Sequence, residues 1–312
     1  MRFARAAAAI VGDSRILFDT NLDRFEQLTG VRPIQLAIHG TSALTLLQDM
    51  AANPEFKGLL IVGLSDTMFF QPFDGYGGYI HKRAQYESPA KRTSAEIDHF
   101  LQRRLAYLDG NHRLSVLAAR LDPNLRPRVQ GPYDDVWKVQ VVGERRETHM
   151  WSKVETDPWI RAHTRYAWKG FKEEFPFTPE MISGGLAKAV KAVDAIRARG
   201  GEVVFVRPPS DMRLRINEEA QVPKAKGWAA LLRRTRAVGV HNDDLPPHAR
   251  NLTMPEWSHL NRACAPVFTD AYVRALAKLT PRITVISNAP PPLQRADCMP
   301  AVRSVMPRIA AR

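Results

Sequence analysis

The sequence predicts an α/β fold around a central, mostly parallel five-stranded sheet with a helical and irregular insertion. Three observations predict it. Short, uniformly apolar runs recur at Ala6 to Val11, Leu59 to Leu64 and Val203 to Val206, which is the composition of strands covered on both faces. Segments with helical spacing lie between such runs, as parallel crossovers require. Turn residues follow the early runs, Gly12-Asp13 after the first and His39-Gly40 after Ile34 to Ile38.

Ala6 to Val11 reads as the first strand, bounded by Gly12-Asp13. Leu22, Phe25 and Leu28 give Asn21 to Leu28 helical spacing, closed by Gly30. Ile34 to Ile38 reads as the second strand and ends at His39-Gly40; Thr41 or Ser42 caps a helix over Ala43 to Ala52. Leu59 to Leu64 is the third strand, which completes a βαβαβ unit. Residues 68–178 then break the alternation, and we read them as an insertion over the carboxyl edge of the sheet. The insertion begins with Phe69, Phe70, Phe73, Tyr76, Tyr79 and Tyr86 among Gly75, Gly77 and Gly78, and helical spacing follows over 93–121. Alternation resumes with a helix from Thr178 through Ile196, a strand at Val203 to Val206, a short fifth strand at Asn251 to Met254 and a last helix over Ala265 to Leu279. The whole is a flavodoxin-like three-layer sandwich in one domain, residues 1–283. A basic, Pro-rich tail, 284–312, is expected to be poorly ordered.

A chain of 312 residues with 45% hydrophobic and 25% charged residues is long and apolar enough for a substantial core. Its net charge of +13 raises the question of a polyanionic partner. The basic residues form only short clusters, Arg145-Arg146, Arg233-Arg234 and Lys224/Lys226, without the interleaved aromatics of a single-strand platform. No nucleic-acid partner is expected. Two cysteines, Cys264 and Cys298, make neither a disulfide framework nor a zinc site by themselves; Cys264 reads as a buried thiol and Cys298 as a residue of the exposed tail. His149 and His163 lack partners at metal spacing, so neither a metal nor another cofactor is expected.

No run approaches the about 20 apolar residues that span a bilayer. Met1 to Val11 has the outline of a signal peptide but too short an apolar run. The expected location is cytoplasmic for the chain as given, and periplasmic or cell-envelope if an export or membrane segment precedes it. Oligomeric state is not readable.

Ligands of open parallel sheets bind at the carboxyl ends of the strands. Ser14, Gly40, Ser65-Asp66, Arg207 and His259 all follow predicted strand ends, and Glu256 precedes His259 by three residues. A serine becomes a nucleophile when a base takes its proton and a third group orients that base. Ser14, His259 and Glu256 can supply all three.

These residues resemble the SGNH (GDSL-like) hydrolase superfamily and its bacterial envelope-associated members. Gly12-Asp13-Ser14 matches the nucleophile block, Gly40 the glycine block, Gly63-Leu64-Ser65-Asp66 the Gly-x-Asn-Asp block, and Glu256-Trp257-Ser258-His259 the Asp-x-x-His block. Ala187 to Pro209 is similar to the helix–strand unit of the envelope members, and the resemblance spans about residues 6–82 and 178–280. It implies acyl transfer: a serine esterase or O-acyltransferase acting on an acyl ester, of a small molecule or a cell-envelope glycan. Ser14 attacks, His259 is the base and Glu256 its orienter. Backbone N–H groups of Ser14 and Gly40, with Ser65, form the oxyanion hole. This chain departs from the pattern twice, with Ser65 in place of the oxyanion asparagine and Glu256 in place of aspartate. Losing an oxyanion donor costs about 2.7–4 kcal/mol of transition-state stabilisation.

Other readings stand beside these. Asp243 and Asp244 are rival triad acids or members of a solvated turn. Arg207 and Arg15 either bind an anionic substrate or form structural ion pairs. Asp66 is a substrate contact or a turn residue. The aromatics of 69–86 and Trp137, Trp151, Trp159 and Trp168 either stack on sugars or pack the core and its lid. A non-catalytic protein that holds a glycan or protein partner in the same cleft is the alternative function.

Overall fold

The computed structural model describes residues 7–71, 88–102, 104–108, 113–119, 138–143, 145, 147–168 and 177–298. Phe73, Tyr76, Tyr79, Tyr86, Trp137, Arg146 and the tail beyond Cys298 lie outside the described residues. Five strands form the sheet: β1 (Ala8–Gly12), β2 (Ile34–Gln35), β3 (Leu59–Gly63), and two later strands over Glu202–Arg207 and Gly239–His241. Their order is second, first, third, fourth, fifth, and every pairing is parallel.

The amino-terminal half carries α1 (Ser14–Asp19), α2 (Leu22–Thr29), α3 (Ala43–Ala52) and α4 (Asp66–Phe70). Asn21 caps α2 and Gly30 ends it in the left-handed region at φ 71°, while Ser42 caps α3 through Leu44 N–H. Only Ile34–Gln35 forms a regular second strand. Beyond it, the chain still follows β1, with N–H groups of Leu36 and Ile38 donating to Ile10 O and Gly12 O at 2.7 and 2.9 Å.

The insertion contains α5 (Pro89–Gln102), a 3-10 turn at Ala106–Leu108, α6 (Leu114–Ala119), an antiparallel hairpin of β4 (Gln140–Val142) and β5 (Thr148–Met150), α7 (Ser152–Thr156) and α8 (Pro158–Ala167). The carboxyl half carries α9 (Pro179–Ala198), β6 (Glu202–Arg207), α10 (Met212–Gln221), α11 (Trp228–Thr235), β7 (Gly239–His241) and α12 (Ala265–Leu276).

Strand periodicity divides the core into two layers. Ala8, Ile10, Leu59, Ile61, Val204 and Val206 face Phe25, Leu28, Phe268 and Tyr272 of α2 and α12. Ala9, Val11, Leu60, Val62, Val203 and Phe205 face Leu47, Val193, Ile196 and Leu231 of α3, α9 and α11. This is the three-layer sandwich expected. Among the described residues no helix is long and apolar enough to cross a membrane.

Three expectations are corrected. The fifth strand is Gly239–His241, not Asn251–Met254; Asn251 has φ 54°, which turns the chain out of extended geometry. Cys298 is buried and disulfide-bonded to Cys264. As far as Cys298 the tail, though largely exposed, is tied to the domain, because its prolines still offer carbonyls. Pro291 O accepts from Arg24 at 2.7 Å and Pro290 O from Arg274 at 2.5 Å. Ile286 N–H also donates to Leu28 O at 2.9 Å.

Candidate active site

Ser14 opens α1 immediately beyond β1. Asp13 caps the helix, its Oδ1 accepting Arg15 N–H at 2.9 Å. Tight packing fixes this turn. Gly12 has φ 151°, and a Cβ there would lie 2.2 Å from Gly63 O. A Cβ on Gly63 would lie 2.1 Å from Ile16 Cβ. Only glycine at both strand ends lets α1 approach the sheet this closely.

The second half of the site is the turn Pro255 to Asn261. Trp257 sits in the left-handed region at φ 80°, a strain of about 1–3 kcal/mol for a non-glycine residue. The guanidinium groups of Arg165 and Arg213 both lie over its indole, at 5.2 and 5.0 Å from the ring. Leu260 N–H donates to Asp19 Oδ1 at 2.8 Å, which fastens the turn to the end of α1. Burial pushes the Asp19 carboxyl well above its ordinary pKa, although that N–H and Arg15 oppose the shift.

The two halves meet at His259. Its Nε2 lies 2.8 Å from Ser14 Oγ, and its Nδ1 lies 2.9 Å from Glu256 Oε1. An ionised carboxylate only accepts, so Nδ1 carries the proton and Nε2 is left to accept from the serine hydroxyl. Glu256 Oε1 also accepts His259 N–H at 2.6 Å. Phe18 stacks on the imidazole at 4.4 Å between centroids, and both Glu256 and His259 are buried. The arrangement can transfer the Ser14 proton to His259 and keep the ring oriented while it does so.

A cleft opens beside Ser14. The i, i+3, i+4, i+7 face of α10 (Leu214, Asn217, Glu218 and Gln221) forms one wall, and Met68, Thr67 and Trp168 line it further. Gly40, at φ 62°, follows the stretch that runs beside β1, in which Ile38 N–H donates to Gly12 O at 2.9 Å.

The remaining site residues divide differently from expectation. Ser65 is buried, but its hydroxyl donates to Asp13 Oδ2 at 2.5 Å and its N–H to the same oxygen at 2.8 Å. The hydroxyl proton therefore points to the cap of α1 and away from the role of oxyanion donor. Arg15, Arg207 and Asp66 belong to one buried ion-pair network centred on Glu218. Arg15 donates to Glu218 Oε1 and, at 3.3 Å, to Ser258 Oγ. Arg207 donates to Glu218 Oε2 at 2.5 Å and to Asp66 Oδ2 at 3.0 Å. Of the three, Arg15 lines the cleft and Arg207 and Asp66 do not. Burial alone would push the Glu218 carboxyl up, but Arg15 and Arg207 outweigh it and hold it at about 2.

Asp243 and Asp244 are not at the triad. Asp243 pairs with Arg215 beside His241, and Asp244 with Lys224 at 3.2 Å. His163 stacks on Trp159 at 5.9 Å, and Lys138 lies over the ring of Trp151 at 5.4 Å. Among the described residues no group of three or more His, Cys, Asp or Glu is arranged to hold a metal ion. Sequence reasoning missed Glu218, whose run of charged neighbours in Arg213 to Glu219 has the look of a solvated helix face. It also missed the part Trp168 plays beside Glu256. No protein-family model matches this chain, and no curated protein matches it.

Proposed function

We propose that this protein is a serine ester hydrolase or O-acyltransferase of the SGNH type. The observation that carries the proposal is the hydrogen-bonded line from Ser14 Oγ through His259 to Glu256. In this reading Ser14 attacks an ester carbonyl while His259 Nε2 takes its proton. Glu256 holds the ring and balances the imidazolium. The N–H groups of Ser14 and Gly40 face the developing oxyanion. His259 then returns the proton to the departing alcohol, and water or another hydroxyl takes the acyl group from Ser14. The resemblance to envelope-associated members extends the proposal to acyl groups carried by a cell-envelope glycan.

The engagement of the Ser65 hydroxyl by Asp13 favours a second reading, a non-catalytic binding protein with the same cleft, because the third oxyanion donor is then missing. Labelling with a fluorophosphonate probe separates the two. Wild type is expected to label, and Ser14→Ala and His259→Ala are expected not to. A folded wild type that resists the probe moves the conclusion to the binding protein.

A further inference from the structure

Glu256 is a longer side chain than aspartate, and one of its oxygens, Oε1, serves His259 twice. Its other oxygen is also occupied. Trp168, at the carboxyl end of α8, donates its indole N–H to Glu256 Oε2. The same indole meets the His259 ring edge-on at 5.9 Å between centroids and lines the cleft with Ser14. The attachment of α8 to this turn is not a single contact. Arg165, three residues earlier on the helix, donates to Pro255 O at 2.8 Å and lies over the Trp257 ring at 5.2 Å. The insertion therefore grips three consecutive residues of the turn, Pro255, Glu256 and Trp257.

We infer that Trp168 is the positioning residue of the candidate triad: its N–H pins the second oxygen of Glu256, so that the longer acid holds His259 as a shorter one would. The inference rests on the acyl-transfer reading of the same site. A carboxylate with one buried oxygen unsatisfied pays for that group's desolvation and rotates to recover a partner. Rotation about the last bond of Glu256 would carry Oε1 away from both His259 nitrogens. Trp168 supplies the partner that removes this alternative. A single residue from the insertion thus forms a wall of the cleft and sets the orientation of the base.

The test compares Trp168→Phe, Glu256→Ala and the double variant, with folding checked by thermal melting, through the rate constant of fluorophosphonate labelling at Ser14. Trp168→Phe keeps the ring and deletes the donor. It is expected to slow labelling about tenfold to a hundredfold, the scale of a misplaced catalytic group. In the Glu256→Ala background the same substitution is expected to change the rate by less than about twofold, since the two act as one unit. Equal effects in both backgrounds would reduce Trp168 to a cleft wall and overturn the inference.

If wild type does not label at all, the acyl-transfer reading fails while the geometry remains testable. The His259 Nδ1 proton is then observed by NMR in protein with labelled histidine. A far-downfield resonance in wild type that moves or vanishes in Trp168→Phe supports the positioning role. An identical resonance in the two proteins contradicts it.

Discussion

Arg15 and Glu218, 203 positions apart, are joined by a buried ion pair that ties the residue after the candidate nucleophile to the helix forming the far wall of the cleft. Arg207 reaches the other oxygen of the same carboxylate. One carboxylate therefore bridges two guanidinium groups, with Asp66 as the second anion of the network.

Removing that carboxylate leaves the buried Arg15 without a carboxylate partner and Arg207 with Asp66 alone. Glu218→Ala is expected to lose about 3–5 kcal/mol of stability in urea denaturation. The folded pKa of about 2 lies below the ordinary 4.5, so the unfolded chain takes up the proton first. The contribution of Glu218 is complete above pH 4.5 and disappears as pH falls towards 2. The stability gap between wild type and variant should narrow across that window; a constant gap would show that Glu218 is not the anchor.

His241, at the end of β7, gives a second acid-sensitive element. Burial lowers its pKa, Arg207, Lys224 and Arg215 lower it further, and Asp243 opposes them, leaving it at about 3. Asp243 N–H donates to its Nδ1 at 3.1 Å, which requires that nitrogen to be unprotonated. Folding therefore favours the neutral ring. Its contribution is full above pH 6.5 and is lost as pH falls towards 3. His241→Asn should melt with a flatter pH dependence in that range, and an unchanged slope would refute the assignment.

Ser65 separates a positioning role from an oxyanion role by magnitude. Ser65→Ala deletes a hydrogen bond to a charged group, worth about 1.5–3 kcal/mol of stability. The N–H of residue 65 still holds Asp13. Labelling at Ser14 is expected to persist within about tenfold of wild type. A fall of about 10²–10³-fold, the scale of a lost oxyanion donor, would restore Ser65 to that role.

Gly12→Ala tests the close approach beneath Ser14. The added methyl meets backbone, Gly63 O, at a φ that suits only glycine. Overpacking and backbone strain together should cost about 2–6 kcal/mol. A variant as stable as wild type would mean that the β1–α1 turn is softer than its packing indicates.

The parts of the fold legible in the sequence are those whose signal is local. The apolar runs of β1, β3 and β6 and the Ser42 cap of α3 each announce themselves within ten residues. Glu256 and His259 were legible as a pair because the contact is three residues long. β7 was not, because Val240 is its single apolar residue and Asn251 to Met254 looked more strand-like. Glu218 and Trp168 act on partners outside their own helices, Arg15 at 203 and Glu256 at 88 positions away, and no local pattern marks a carboxylate that will be buried between Arg15 and Arg207. The same holds for the cysteines: a pair 34 residues apart carries no spacing rule, and only the folded path of the tail brings Cys298 to Cys264.

The Ser14–His259 contact spans 245 residues, whereas Glu256 and His259 belong to one turn. During synthesis the serine leaves the ribosome 245 residues before the candidate base. In the acyl-transfer reading a nascent chain therefore carries an inert hydroxyl over that interval, and reactivity at Ser14 arrives when the turn bearing His259 docks against α1. In that reading, labelling of Ser14 would report the docking of this turn.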